Sequence, residues 1–126
     1  MKKFDIYNKN IYIGWSNLRK KDASTGVVYG QFCPVDSYKD IQSLIQRRIE
    51  IDKLDKKEAV ILEQALKQVE LKVKPENGEF FEAPVEVQIN DFSRELAPND
   101  IEVLVLGLDY LAYKEWFDDE EQEIFS

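Results

Sequence analysis

Histidine is missing from this 126-residue chain, cysteine and methionine occur once each, and there are only four prolines and five glycines. Each shortage narrows the chemistry. Without an imidazole, Cys/His zinc sites and the Ser–His or Cys–His nucleophile pairs are excluded. A single cysteine, Cys33, excludes an internal disulfide framework. No apolar run approaches the roughly 18 residues of a membrane span; the longest, Ile101–Leu108, is interrupted by Glu102. Met1-Lys2-Lys3-Phe4-Asp5 has no apolar stretch behind its lysines, so no signal peptide is expected. The expectation is a cytoplasmic protein with no cofactor, no metal and no membrane partner.

Positive charge is scarce in the second half. Residues 1–74 carry 15 Lys/Arg against 10 Asp/Glu, whereas residues 75–126 hold only Arg94 and Lys114 against 15 acids. The whole chain is −8, which disfavours a phosphate backbone as ligand unless the basic residues gather in one patch. An acidic half suits a basic protein surface, where opposite charge raises the encounter rate, and it also serves solubility.

What is present is 44% hydrophobic and 12% aromatic residues, enough for one core in a single domain over residues 1–126. Phe4–Tyr7 and Ile11–Trp15 flank Asn8-Lys9-Asn10 as a hairpin, with Ile11, Ile13 and Trp15 on one face. Gly26–Pro34 reads as a third strand stopped by its proline. Ser37-x-x-Asp40 has the form of a capping box, and Tyr38, Ile41, Leu44, Ile45 and Ile49 recur behind it at helical spacing. Asp55 and Glu58 open a second, shorter helix, which gives way near Lys67 to the alternation of Val69, Leu71 and Val73. After the Asn77-Gly78 turn come a strand at Val85–Ile89 and a central strand at Ile101–Leu106. Asp109 caps a terminal helix through Tyr113 to Phe117. Strands and helices segregate, so the fold class is α+β: a mostly antiparallel sheet of about five or six strands, the helix of residues 37–51 packed on one face, and a short C-terminal helix.

Candidate chemistry is thin. Cys33 lies in an apolar strand with nothing to lower its pKa and reads as a buried thiol. Ser16, Ser24 and Thr25 lack a nucleophile-elbow setting. Gly26 to Gly30 is not a phosphate loop, and no window has EF-hand spacing. Asp22, Asp36, Asp91 and Asp109 fall at element ends, where paired carboxylates do acid–base work but where Asp also serves turns and caps. The sharper feature is the C-terminus. Trp116 and Phe117 adjoin Asp118, Asp119, Glu120, Glu121 and Glu123, an aromatic anchor within an acidic rim of the kind found at binding hot spots. The bland alternative makes residues 118–126 a flexible acidic tail.

Gly14-Trp15-Ser16-Asn17-Leu18 and Gly26-Val27-Val28-Tyr29-Gly30-Gln31-Phe32-Cys33-Pro34, followed by Tyr38 and Ile41-Gln42, resemble a family of small single-domain bacterial proteins with G-x-S-x-L and G-V-x-x-G-x-F-x-P strand motifs. Thr25 stands where that pattern has methionine, and Val28 where it has alanine. The likeness spans about the first third of the chain, with a looser match near Ile101–Leu108, and implies no catalytic residues. In size and charge alone the chain is also similar to bacterial immunity proteins. The leading expectation is therefore a non-catalytic interaction module, most concretely an immunity-like protein that neutralises a basic toxin through an acidic surface. The alternatives are a small carboxylate-dependent enzyme or ligand-binding domain, and a self-associating structural or phage-defence component that pairs as a homodimer through an edge strand at 4–7 or 85–89.

Overall fold

The computed structural model describes residues 2–22, 24–82 and 84–117. The hairpin forms as expected: β1 (Phe4–Asn8) runs antiparallel to β2 (Ile11–Ser16), and Lys9 turns the chain at φ 55°. The Asn8 side chain accepts the Glu70 backbone N–H at 2.9 Å, which ties the end of β1 to the segment that leads into the strand at Leu71–Pro75. The register shifts between Ile6 and Tyr7: Ile6 faces Gly14 and Tyr7 faces Tyr12, so Ile13 is the extra residue of a β-bulge. That bulge overturns the expected grouping. Ile13 alone enters the core, Ile11 is 53% exposed, and Trp15 is half-buried.

Among the described residues the chain forms eight strands, arranged in two antiparallel four-stranded sheets rather than one. The first has the order β5 (Cys33–Pro34), β2, β1, β6 (Leu71–Pro75); the second has the order β3 (Lys20–Asp22), β4 (Val27–Gln31), β8 (Ile101–Leu106), β7 (Glu86–Asp91). The run read as one strand from Gly26 to Pro34 is thus divided between the sheets, with Phe32 at the division. Residues 4–7 lie in β1, which is paired on both sides, so the proposed edge at 4–7 does not exist; 85–89 falls on β7, which is an edge. Pro34 sits on the edge strand β5, where its missing N–H costs no ladder bond.

Inward residues of both sheets merge into one core. Phe4, Ile6, Ile13 and Val73 come from the first sheet, and Val28, Ile89, Ile101, Val103 and Val105 from the second. The main helix α1 (Lys39–Ile49) adds Ile41 and Ile45, and α3 (Tyr110–Phe117) adds Tyr113 and Phe117. Ser37 does not cap α1. A 3₁₀ turn at Asp36–Tyr38 leads into the helix, and the Ser37 hydroxyl is drawn to the Tyr12 carbonyl of β2 instead. Asp55 does cap α2 (Lys56–Leu66), accepting the Glu58 N–H at 2.8 Å, and Asp109 accepts the Ala112 N–H at 2.8 Å at the start of α3.

The chain crosses between sheets three times, from β2 to β3, from β4 to β5 and from β6 to β7, and the segments Gly14–Leu18 and Gly26–Pro34 interlock at the first two. Ser16 is fully buried and its Oγ accepts the Leu18 N–H at 3.1 Å; Leu18 is buried at φ 47°, a left-handed conformation unusual for a leucine. A Cβ on Gly30 would lie 2.8 Å from Ser16 Oγ and 3.1 Å from Leu18 Cα. One on Gly14 would lie 2.5 Å from the Cys33 carbonyl oxygen and 2.6 Å from the Phe32 ring. Both glycines allow backbones to approach too closely for any side chain, so the motif residues hold the crossing together.

Candidate interaction face

Strand alternation that sends Phe4 and Ile6 inward sends Asp5 and Tyr7 to the outer face of the first sheet. Beyond the bulge, β2 presents Tyr12 and Trp15 on the same side, and β6 presents Lys72 and Lys74 around the buried Val73. Pairing sets them in two rows across the sheet. Trp15, Asp5 and Lys74 form one; Tyr12, Tyr7 and Lys72 form the other. After the Asn77-Gly78 turn, Phe80 folds back onto the face and meets the Tyr7 ring edge-on at 5.1 Å, while Tyr7 and Tyr12 are 5.6 Å apart.

Lysines lie over these rings. Lys72 is 5.5 Å from the Phe80 centroid, Lys74 is 5.8 Å from both Tyr7 and Phe80, and Lys3 is 5.5 Å from Trp15. Lys3 also pairs with Glu76 at 3.3 Å and lies 3.8 Å from Asp5; the hydrogen bond it donates to Glu76 is the main cause of its raised pKa. Burial pushes the Tyr12 hydroxyl up, with Lys3 opposing. Asp5 Oδ1 is buried and accepts no hydrogen bond. The face is thus a rigid patch of four rings, each partly open to solvent, with three cations and one under-satisfied carboxylate among them.

Trp116, the expected anchor, stands apart from this patch. It is half-buried on α3 and packs edge-on against Phe4 and Phe81 at 6.4 Å each, so much of its ring serves the core. Its carbonyl accepts from Lys2 Nζ at 2.6 Å, and the Phe117 carbonyl accepts from Lys21 Nζ, so two lysines of the basic half bond the last described carbonyls of α3. Asp118, Asp119, Glu120, Glu121 and Glu123 lie outside the described residues. The sequence reading missed Tyr7, Tyr12 and Phe80. Two signals pointed to the patch: aromatics at positions out of phase with Phe4 and Ile6, and lysines flanking Val73.

The other candidate groups serve local structure. Burial raises the Cys33 thiol pKa, the reverse of what activation needs. Asp22 accepts the Ser24 hydroxyl at 2.6 Å and the Ser24 N–H at 3.1 Å, bonds that pull its carboxyl down, and Asp36 opens a 3₁₀ turn. Asp91 is 2% exposed and accepts four hydrogen bonds: from the Tyr38 hydroxyl at 2.6 Å, Gln42 Nε2 at 3.2 Å, and the Ser93 hydroxyl and N–H at 2.5 and 2.9 Å. This network joins the start of α1 to the end of β7. Burial pushes the Asp91 carboxyl up, but the bonds outweigh it and hold the carboxyl below its ordinary value. Among the described residues no group of three or more acids and cysteines is placed to hold a metal, and no helix is long and apolar enough to cross a membrane.

Fold and face together define the class: a two-sheet α+β domain with an aromatic–cationic surface on one sheet. No protein-family model matches the chain, and neither a search of curated proteins nor one of solved structures finds a match.

Proposed function

We propose that the chain is a protein-interaction module whose working surface is the outer face of the first sheet. The observation that carries this reading is the cluster of Tyr7, Tyr12, Trp15 and Phe80, partly exposed on rigid strands with Lys3, Lys72 and Lys74 among them. Large amphipathic rings that are already ordered lose little entropy on docking, which is why Tyr and Trp dominate interface hot spots. The most concrete form of the reading is immunity-like: a bacterial protein that occludes a toxin, with the acidic residues beyond Phe117 and the acidic half of the chain steering a basic partner.

The test is capture of a partner from lysate by the wild-type chain and by a Tyr7→Ala/Trp15→Ala variant of unchanged circular dichroism, followed by co-expression with any captured toxin. Loss of two hot-spot rings is expected to weaken the partner by about 30-fold or more. Equal capture by both proteins would overturn the assignment of the face.

The lysine–ring pairs also favour a second reading, single-stranded nucleic acid stacked on the rings. Asp5 and Glu76 on the same face, and the net charge of −8, weigh against it. Titration of the tryptophan fluorescence with an oligonucleotide at low salt, compared between the wild-type chain and a Trp15→Phe variant, discriminates the two.

A further inference from the structure

On another side of the molecule, α1, the end of α2, and the strands β6 and β7 leave a groove of about 250 Å³. Its lining is mixed: Ile45, Leu66, Val69, Leu71, Val87 and Leu106 form the apolar part, and Arg48, Glu86 and Gln88 the polar part. Into this setting α1 places Arg48. Its Nη2 donates to the Ile89 carbonyl at 2.7 Å and to Asn90 Oδ1 at 2.8 Å, two neutral acceptors. Those bonds use both Nη2 hydrogens, and the Nη1 and Nε hydrogens are left for another acceptor. Among the described residues the guanidinium has no carboxylate partner; Glu86 also lines the groove but is exposed and does not pair with it. Burial accordingly lowers the Arg48 pKa. A half-buried cation with no ion-pair partner gives up part of its hydration, and an incoming anion offsets that loss.

We propose that this groove binds a small molecule with an apolar body and a single carboxylate, which accepts hydrogen bonds from Arg48 Nη1. Charge complementarity selects the anion, and the apolar walls select its body. A second carboxylate on the body would have to leave water against the apolar side chains, so monocarboxylates are preferred over dicarboxylates. The size of the groove, just under the usual range for small-molecule pockets, suits a medium-chain acid rather than a nucleotide. This inference stands apart from the aromatic face and does not depend on it.

The experiment is a heteronuclear NMR titration of the full chain with octanoate, with 1-octanol and suberate as controls. Octanoate is expected to shift the amides of Leu66, Val69, Leu71 and Val87; 1-octanol is expected to bind at least about tenfold more weakly, the loss that fits a charge-assisted hydrogen bond, and suberate more weakly than octanoate because its second carboxylate loses water against apolar side chains. Arg48→Gln should weaken octanoate by a similar factor. Because Arg48 also ties α1 to β7, Val69→Glu is the second variant: it leaves those bonds intact, places an acid in the groove, and should likewise weaken octanoate at least about tenfold. Octanol binding as tightly as octanoate, shifts confined to another surface, or no shift at millimolar octanoate would each overturn the proposal. So would binding of an acidic peptide in the groove when octanoate does not bind.

Discussion

At the scale of single residues, Asp91 sets the clearest expectation. Its carboxylate is nearly closed to solvent, and its charge is held by donors from Tyr38, Gln42 and Ser93. A carboxyl whose pKa is depressed in the folded state contributes stability above its unfolded value and loses it as pH falls through the folded one. Tyr38→Phe removes one donor and is expected to cost about 1–3 kcal/mol at pH 7, measured by urea unfolding, with a smaller cost at a pH acid enough to protonate Asp91 in the folded state. An equal cost at both pH values would show that the hydroxyl acts by packing alone. Tyr38 was legible as an apolar member of the helix face. Its hydroxyl's partner, 53 residues along the chain, was not, because hydrogen-bond partners so distant are chosen by the fold.

At the scale of elements, caps and crossings divide what could be read from what could not. Asp55 was legible because an N-cap is a local bond, and Asp55→Ala is expected to destabilise by about 1 kcal/mol in thermal or urea unfolding. Ser37 carried the same local signal and does not cap, since β2 offers the Tyr12 carbonyl to its hydroxyl. Tertiary geometry overrode the local preference. The bulge at Ile13 reversed the face assigned to Trp15 for a similar reason: which strand carries the extra residue depends on its pairing partner. At the crossing, Gly14→Ala forces a Cβ against the Cys33 carbonyl, a backbone atom that cannot step aside. The variant is expected to lose about 1–3 kcal/mol or more by the same measurement, and a neutral result would mean that the crossing relaxes.

At the scale of the whole molecule, charge and topology act together. The basic half supplies Lys2 and Lys21 to the carbonyl end of α3, so part of the sequence's charge asymmetry is spent inside the fold and not on a partner. Lys3, Lys72 and Lys74 gather on the aromatic face, which gives the basic half a local patch in spite of the overall negative charge. If the acids beyond Phe117 steer a basic partner, neutralising Asp118, Asp119, Glu120 and Glu121 together is expected to slow association several-fold at low ionic strength and to leave dissociation nearly unchanged, as read by stopped-flow or surface plasmon resonance. An unchanged association rate would remove the steering role and leave the aromatic face to account for binding.

The sequence by itself determined the α+β class, the hairpin, the positions of the helices, the cap of α2 and the apolar stripe of α1 that carries Ile41 and Ile45. These follow from periodicity and from bonds between near neighbours, which a short window of chain contains. Only the tertiary structure decided that the strands form two sheets, that Gly26–Pro34 is shared between them, and that Tyr7, Tyr12, Trp15 and Phe80 meet with the lysines on one surface. It also decided that Arg48 lines a partly apolar groove and that, among the described residues, Glu86 in the same groove does not pair with it. The reason is the same in each case: β-pairing joins residues tens of positions apart, and no local pattern states which strand lies beside which.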